Sequence, residues 1–211
     1  MYGRQPHHKR GILFPLAAIL VVSALGSGRA TAQTITQIID STGDGAGNGL
    51  DTPIGIAVDS AGNAYVTGLF SNNVFMITPA GVITEIIDRT GDGAGNCLDD
   101  GAEPCLDTAP AIAVDAAGNV YVAGRTSDNA FKITPGGVIS EIIDATGDGV
   151  GHTLRFPAGI AVDNVGNVYV SGLASDNAFK ITPGGVISEI IDATGDGAGH
   201  TLDRPLGIAV E

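Results

Sequence analysis

A repeated segment is the feature that most limits what this chain can fold into. Four segments open with Ile-Ile-Asp and continue x-Thr-Gly-Asp-Gly-x-Gly, beginning at Ile38, Ile86, Ile142 and Ile190. Their offsets of 48, 56 and 48 residues define a 48-residue unit, and the longer middle offset contains 8 extra residues around Cys97 to Cys105. A fixed period of this length is typical of solenoid and propeller architectures, in which one unit cannot bury its apolar side alone.

Each unit contains four short β-rich runs separated by turn residues. In the first complete unit Asp59 to Asn63 links the first two runs, and Thr78 to Gly81 links the last two. Glycine tolerates positive φ and proline fixes φ, so both links predict tight turns. The unit is therefore interpreted as a four-stranded antiparallel meander, the size of one propeller blade. A flat β-solenoid is the alternative, but its coils are shorter and lack three successive hairpins.

The strand count predicts an all-β fold, namely a β-propeller of four-stranded antiparallel blades that forms an incomplete arc of about three and a half blades. The predicted blades cover residues 53–88, 109–144 and 157–192, with lone strands at 34–39 and 207–210. Propellers close with at least four blades. We therefore expect either part of a longer propeller or an arc that self-associates through the apolar faces of its end blades.

The repeat resembles a known family. Gly55 to Val66 and its copies are similar to the NHL-type propeller repeat, and Ala64-Tyr65-Val66-Thr67-Gly68 also resembles the bacterial SBBP propeller repeat. The Thr-Gly-Asp-Gly loop followed by Leu and Pro is similar to the segment between blades in bacterial NHL proteins. The resemblance covers essentially all of residues 34–211. It implies the propeller fold and leaves the function open, because such propellers include ligand-binding sensor domains, scaffolds and some lyases.

Residues 1–32 have the features of a secretory signal peptide. Three basic residues precede an apolar stretch from Gly11 to Gly26, and Ala30-Thr31-Ala32 supplies small residues before Gln33. A membrane anchor is the alternative, but a membrane span needs about 20 apolar residues. We expect cleavage and a secreted or periplasmic protein of residues 33–211 that is not embedded in a membrane.

The charge of the chain argues against nucleic acid as a partner. The formal net charge is −13, and residues 1–32 hold four of the ten basic residues and no acidic one. The other six basic residues are scattered along the sequence, whereas a phosphate-binding surface needs clustered Lys and Arg. An acidic surface favours cations or basic partners.

The segments between repeats carry aspartates at a spacing typical of calcium loops, with acids at places 1, 5 and 12, Thr at place 3 and Gly at place 6. The third copy, from Asp144, has Arg155 at the twelfth place. The alternative is that the acids only stabilise turns. Two departures from a typical calcium loop favour it, because Thr is a weak ligand and no helices are predicted beside these segments. The candidate ligands for calcium, the possible cofactor, are Asp40, Asp44, Asp51, Asp88, Asp92, Asp99, Asp192, Asp196 and Asp203.

Cys97 and Cys105 lie together in the insertion of the second repeat. An exported chain meets oxidising conditions, so the sequence predicts a disulfide bond between them. A zinc site would need two more His or Cys ligands, and the sequence has none nearby.

Two functional classes remain open. The first is an exported, non-enzymatic binding or scaffold module that acts through the acidic segments between blades and through the Ser-x-Asn loops. In a four-stranded blade the second-to-third and fourth-to-first connections emerge on the same side, so we expect both to line one face. Loops on a rigid scaffold are the usual place for recognition. The candidate binding residues are Asn73, Asn129 and Asn177.

The second class is a fragment of a lyase-like propeller enzyme, which requires His and carboxylates that converge near the axis. His152 and His200 are the only histidines after residue 32, and they occupy equivalent places in successive repeats. Neighbouring blades would hold them too far apart to share one metal ion. No nucleophile or phosphate-binding motif is present, so enzyme activity has no positive support in the sequence.

Overall fold

The structure is a computed structural model that describes residues 35–94 and 111–211. These residues form twelve β-strands in three separate four-stranded sheets, and none of them is helical. It follows that the described ranges contain no helix long and apolar enough to cross a membrane. Cys97, Cys105 and Asp99 lie outside the described residues.

Each sheet is an antiparallel meander in which the strand order follows the chain order. The predicted all-β fold of four-stranded antiparallel blades is confirmed. Blade 1 contains β1 (Pro53–Val58), β2 (Ala64–Gly68), β3 (Asn73–Ile77) and β4 (Ile83–Ile87). Blade 2 contains β5 (Ile112–Val114), β6 (Val120–Gly124), β7 (Asn129–Ile133) and β8 (Ile139–Ile143). Blade 3 contains β9 (Pro157–Val162), β10 (Val168–Gly172), β11 (Asn177–Ile181) and β12 (Ile187–Ile191).

The turn between the first two strands of a blade is held by one aspartate. Asp59 Oδ1 accepts hydrogen bonds from the backbone N–H groups of Ala61 and Asn63, both at 2.9 Å. Its Oδ2 accepts one from Asn63 Nδ2 at 2.7 Å and one from the Tyr65 hydroxyl at 2.9 Å. Gly62 has a φ of +84°, a conformation that glycine adopts without strain. Asp115 and Asp163 make the same four contacts in the other two blades.

The core lies between the blades, where one sheet packs face to face on the next. Blade 1 contributes Tyr65, Val74 and Ile87, and they cluster with Val120, Val122, Phe131 and Ile133 of blade 2. The opposite face of blade 2 contributes Tyr121, Ala130 and Ile143, which cluster with Ile160, Val168, Val170, Phe179 and Ile181 of blade 3. Tyr121, Ala130 and Ile143 occupy the same repeat positions in blade 2 as Tyr65, Val74 and Ile87 do in blade 1. One repeat sequence can therefore build both interfaces.

The first strands of the blades follow one another at the inner side of the arc, with β5 in contact with both β1 and β9. Gly207 continues this series, since a Cβ atom placed on Gly159 would lie 2.9 Å from the Gly207 Cα atom. Within residues 39–211 the blades form an open arc, as predicted.

The predicted lone strands at 34–39 and 207–210 need correction. The structure forms no strand over residues 35–39 or 207–210, and Thr34 lies outside the described residues. A strand is defined by its ladder of hydrogen bonds with a neighbouring strand. Neither segment forms such a ladder with another strand among the described residues. The β-like sequence is therefore not sufficient to make a strand at either place.

Candidate functional site

The loops between blades, here called the interblade loops, comprise residues 40–52, 144–156 and 192–204 and the described part 88–94. Each begins with an aspartate that caps its own turn. Asp40 Oδ1 accepts hydrogen bonds from the Thr42 hydroxyl at 2.6 Å and from the Thr42 backbone N–H at 2.9 Å. These hydrogen bonds hold the pKa of Asp40 below its ordinary value. Asp88, Asp144 and Asp192 are bonded in the same way to the threonines that follow them.

A second aspartate closes the middle of each loop. Asp44 Oδ1 accepts a hydrogen bond from the Ala46 backbone N–H at 2.8 Å, and Asp44 Oδ2 accepts one from Asn48 Nδ2 at 2.8 Å. In the two later loops a histidine replaces that asparagine. His152 Nδ1 lies 2.6 Å from Asp148 Oδ2, and His200 Nδ1 lies 2.6 Å from Asp196 Oδ2. Each histidine therefore locks its own loop rather than converging with the other.

His152 has a further acidic neighbour on the outer strand of blade 3, since its Nδ1 lies 3.5 Å from Glu189 Oε2. The hydrogen bond to Asp148, with the field of the nearby carboxylates, raises the pKa of His152 above its ordinary value.

The predicted calcium ligands are thus placed in turns whose own N–H and hydroxyl groups donate to them. Asp51 Oδ1 accepts a hydrogen bond from the Thr52 hydroxyl at 3.0 Å. Among residues 35–94 and 111–211, no three His, Cys, Asp or Glu side chains are grouped so that they could hold a metal ion. Asp92 and Asp203 lie in their loops at the predicted positions, and calcium binding stays a prediction from the sequence.

The three predicted binding asparagines are buried, each with 3% of its surface exposed. Asn73 accepts a hydrogen bond from Ser71 Oγ at 2.7 Å and donates to Glu85 Oε1 at 2.8 Å and to the Gly49 carbonyl at 3.0 Å. Asn129 and Asn177 make the matching contacts to Glu141 and Glu189. These side chains join strands three and four, and Asn73 and Asn177 also join the preceding interblade loop. A direct role in ligand binding stays a prediction.

Both predicted loop sets lie at the same end of the blades. In blade 1 the Asp51 backbone N–H donates to Ser71 Oγ at 3.1 Å, and the Leu69 N–H donates to the Thr52 carbonyl at 3.0 Å. In blade 3 the Leu173 N–H donates to the Phe156 carbonyl at 3.0 Å. In blades 1 and 3 the last two residues of the preceding interblade loop thus run beside the two residues that follow the second strand. We call these pairs the rim; they are residues 51–52, 69–70, 125–126, 155–156, 173–174 and 203–204.

The rim is where the repeats differ in charge and size. Asp51 of the first repeat corresponds to Arg155 and Asp203, and Thr52 corresponds to Phe156 and Arg204. Leu69 corresponds to Arg125 and Leu173, and Phe70 corresponds to Thr126 and Ala174. The supporting turns and asparagines barely change. These turns and buried asparagines, here called the frame, are therefore nearly the same in every blade, whereas the rim side chains differ from blade to blade.

The backbone of the rim is held in an unusual conformation. Thr52, Phe156 and Arg204 have φ values of +50°, +47° and +47°, and each precedes a proline. The preceding blade supports this geometry, because Asp128 Oδ1 accepts a hydrogen bond from the Phe156 N–H at 2.7 Å. Asp176 Oδ1 accepts one from the Arg204 N–H at 2.8 Å. The pair 155–156 is thus fixed by two successive blades, because its carbonyl groups also accept hydrogen bonds from the Leu173 and Ala174 N–H groups of blade 3.

A groove of about 490 Å³ lies along the rim of blades 2 and 3. Apart from Asp176, every residue that lines it belongs to the rim, including Arg125, Phe156 and Arg204. Phe156 is 37% exposed, and Leu173 is buried. An aromatic ring, an aliphatic floor and side chains of both charges therefore share one concave surface.

The sequence profile of a β-propeller repeat family matches residues 35–75, 106–132 and 149–180. The chain therefore contains β-propeller repeats. The resemblance deduced from its repeats is confirmed. A comparison with curated protein sequences finds no match.

Solved propeller structures resemble this β-propeller repeat protein in fold. A streptogramin B lyase has 19% identity and a TM-score of 0.54, over 74% of this chain and 44% of the lyase. Virginiamycin B lyase from Staphylococcus aureus has 19% identity and a TM-score of 0.52, over 77% of this chain and 45% of the lyase. A chain of a nidogen/laminin complex has 21% identity and a TM-score of 0.53, over 74% of this chain and 52% of that chain. The chain spans about half the length of these structures, and the likeness shows the fold alone.

The sequence did not predict the rim as one surface, although Asp51 and Asp203 were among the candidate calcium ligands. The predictions rested on residues that recur in every repeat, and those residues build the turns and strand contacts of each blade. The signal that could have found the rim was the reverse one, namely the few positions where otherwise similar repeats exchange Asp for Arg or Thr for Phe.

Proposed function

We propose that this propeller is an exported, non-enzymatic binding module whose ligand or partner binds at the rim. The observation that carries the proposal is the contrast between a constant frame and a variable rim within one chain. Repeat proteins commonly keep their stacking residues and vary the loops of one face, which becomes the binding face.

The hydrogen bonds of the rim support this role. Backbone bonds join residues 51–52 to 69–70 and residues 155–156 to 173–174, and carboxylates of the preceding blade hold Phe156 and Arg204. A surface held in this way loses little conformational entropy when it binds, and such preorganisation favours affinity.

The alternative function is that of a lyase-like enzyme fragment. It requires a histidine and carboxylates that converge on one cleft, and none of the described residues that line the rim groove is a histidine. His152 and His200 are paired with Asp148 and Asp196 of their own loops. The structural likeness to lyases concerns the fold, so it does not by itself favour catalysis.

The proposal of export depends on residues 1–32. Their basic start, short apolar stretch and Ala-Thr-Ala site support cleavage before Gln33. Mass spectrometry of the protein recovered outside the cytoplasm should find an N-terminus at Gln33. Recovery of the intact chain from the cytoplasm alone would contradict export.

The rim can be tested by exchanging residues between repeats. The double change Arg155→Asp and Phe156→Thr gives blade 3 the pair that blade 1 already has at positions 51 and 52, so the frame should tolerate it. The control is Lys132→Met, which places the blade 1 residue Met76 at its blade 2 position outside the rim.

The protein, the rim exchange and the control should be applied to the same arrays of peptides, glycans and metabolites. We expect the rim exchange to lose at least one ligand that the unchanged protein and the control both retain. If every ligand binds all three proteins equally, the rim is not the binding surface. If a ligand is consumed and released as product, the enzyme alternative is supported instead.

A further inference from the structure

We propose that the rim groove of blades 2 and 3 binds a zwitterionic amino acid with an apolar or aromatic side chain. The inference deepens the proposed function, on which it rests, by naming the class of ligand. It is drawn from four features of the groove: its cations, its carboxylates, its apolar floor and the residue that leaves it open.

The first feature is the concentration of arginine. Six basic residues follow residue 32, and three of them, Arg125, Arg155 and Arg204, are at rim positions. Arg125 and Arg204 line the groove itself. A guanidinium group presents a planar set of donors that matches a carboxylate, so arginine is the usual residue for binding one.

The second feature is that the groove also contains acid. Asp176 and Asp203 line it together with the two arginines, so its formal charges balance although the protein as a whole is strongly acidic. Asp176 Oδ1 already accepts the Arg204 N–H. A ligand with a carboxylate alone would be attracted by the arginines but repelled by these aspartates, and a ligand with an ammonium group alone would be attracted by the aspartates but repelled by the arginines. A ligand that carries both charges is complementary to the site.

The third feature is the exposed ring of Phe156. A bulky residue in the left-handed conformation is strained relative to an ordinary backbone conformation, and glycine would avoid this strain. The φ of +47° at Phe156 therefore does not explain why phenylalanine is present. Its half-exposed ring and the neighbouring Leu173 offer an apolar surface to a ligand side chain. Strained residues of this kind are often found at functional sites.

The fourth feature is Ala174. Blade 1 has Phe70 at the corresponding position, where the ring is 48% exposed. The small side chain of Ala174 leaves room beside Phe156 that a phenylalanine would occupy. Blade 3 therefore provides both the aromatic surface and the space next to it, and pockets of this size range typically accept small organic molecules.

The test compares four probes by isothermal titration calorimetry at pH 7. Phenylalanine carries both charges and the ring. N-acetylphenylalanine keeps only the carboxylate and imitates a peptide C-terminus, whereas phenylalanine amide keeps only the ammonium group and imitates a peptide N-terminus. Glycine keeps both charges without the ring. We expect phenylalanine to bind at least 10-fold more tightly than each of the other three, since two charges and the ring are all recognised.

The matched variant is Ala174→Phe, which introduces the residue that blade 1 already has and should fill the groove. Phe156→Thr, again a blade 1 residue, removes the aromatic surface if Ala174→Phe does not fold. Each should weaken phenylalanine binding at least 10-fold, while Lys132→Met, outside the rim, should leave the Kd unchanged. Circular dichroism and the melting midpoint check that each variant is folded.

Several results would overturn the inference. If N-acetylphenylalanine or phenylalanine amide binds as tightly as phenylalanine, the site recognises only one of the two charges, and a peptide terminus is the better ligand. If a folded groove variant keeps full affinity, phenylalanine binds elsewhere. If none of the four probes binds at millimolar concentration while the rim exchange still abolishes another ligand, the amino-acid class is wrong and the proposed function stands.

Discussion

Replacing Gly147 by alanine should destabilise the protein far more than replacing Gly149, although both glycines lie in the same interblade loop. Their φ values are +65° and +74°, so the two alanines carry a similar left-handed penalty. A Cβ atom on Gly147 would lie 1.9 Å from the His152 carbonyl oxygen, whereas one on Gly149 would have no heavy atom within 4 Å. The pair therefore separates backbone strain from steric contact.

The expected magnitudes follow from these distances. The left-handed conformation costs alanine about 1–2 kcal/mol, and the smaller entropy of the unfolded chain offsets about 0.4–1 kcal/mol, so Gly149→Ala should cost about 1 kcal/mol. In Gly147→Ala the His152 carbonyl must also move away by roughly 1.5 Å to reach normal contact. This movement would break the hydrogen bonds from Asp148 N to His152 O at 3.4 Å and from Leu154 N to Ala145 O at 3.3 Å. At about 1 kcal/mol each, the total loss should be about 3 kcal/mol.

Urea unfolding monitored by circular dichroism measures both free energies of unfolding. The expected order is the unchanged protein, then Gly149→Ala, then Gly147→Ala, with the two variants separated by about 2 kcal/mol. Equal losses in the two variants would refute the reasoning, because they would show that the Gly147–His152 contact does not decide the loop conformation. The loop ends at rim residues 155–156, so Gly147→Ala should also weaken any ligand bound there.

Further measurements test other parts of the molecule. Burial and the hydrogen bond to Asp59 raise the pKa of Tyr65 to about 12, so an absorbance titration should find a tyrosine that ionises well above pH 10. The unfolded chain ionises near pH 10, so stability should fall as the pH rises from about 10 to 12, and Tyr65→Phe should reduce that fall. Phe131→Ala, at a fully buried interblade position, should cost about 3–5 kcal/mol in urea unfolding; a cost below 1 kcal/mol would contradict the packing. If the predicted loops bind calcium, the ion should raise the melting midpoint and Asp44→Ala should abolish that rise; if neither calcium nor a chelator changes the midpoint, Asp44 only closes its turn through the hydrogen bonds that loop groups donate to it. Mass spectrometry of the exported protein should find Cys97 joined to Cys105, and two free thiols would remove the disulfide.

The blade could be predicted from the sequence because its signals are local. The Asp59 turn needs an aspartate, a glycine and an asparagine within five residues, and the structure forms that turn with hydrogen bonds that span at most six residues. The repeat period then gives the number of blades, since each copy carries the same turns. The aspartates that begin the interblade loops also bond to residues close in sequence, as Asp40 does to Thr42. The sequence offered two roles for them, namely calcium ligand and turn residue.

Only the tertiary structure decided what those local units build together. From the sequence, Asn73 was predicted to be a ligand-binding residue of a Ser-x-Asn loop. Packing instead buries it against Glu85 and the Gly49 carbonyl, which are 12 and 24 residues away in the sequence. The segments 35–39 and 207–210 have strand-like sequences but no strand forms, because a ladder requires a neighbour that local sequence cannot supply. The rim unites residues 51–52 with 69–70, and Phe156 with Asp128 of the preceding blade, through long-range hydrogen bonds. Such contacts depend on how sheets stack, so the sequence determined the blade and its turns, and the stacking of blades determined the rim.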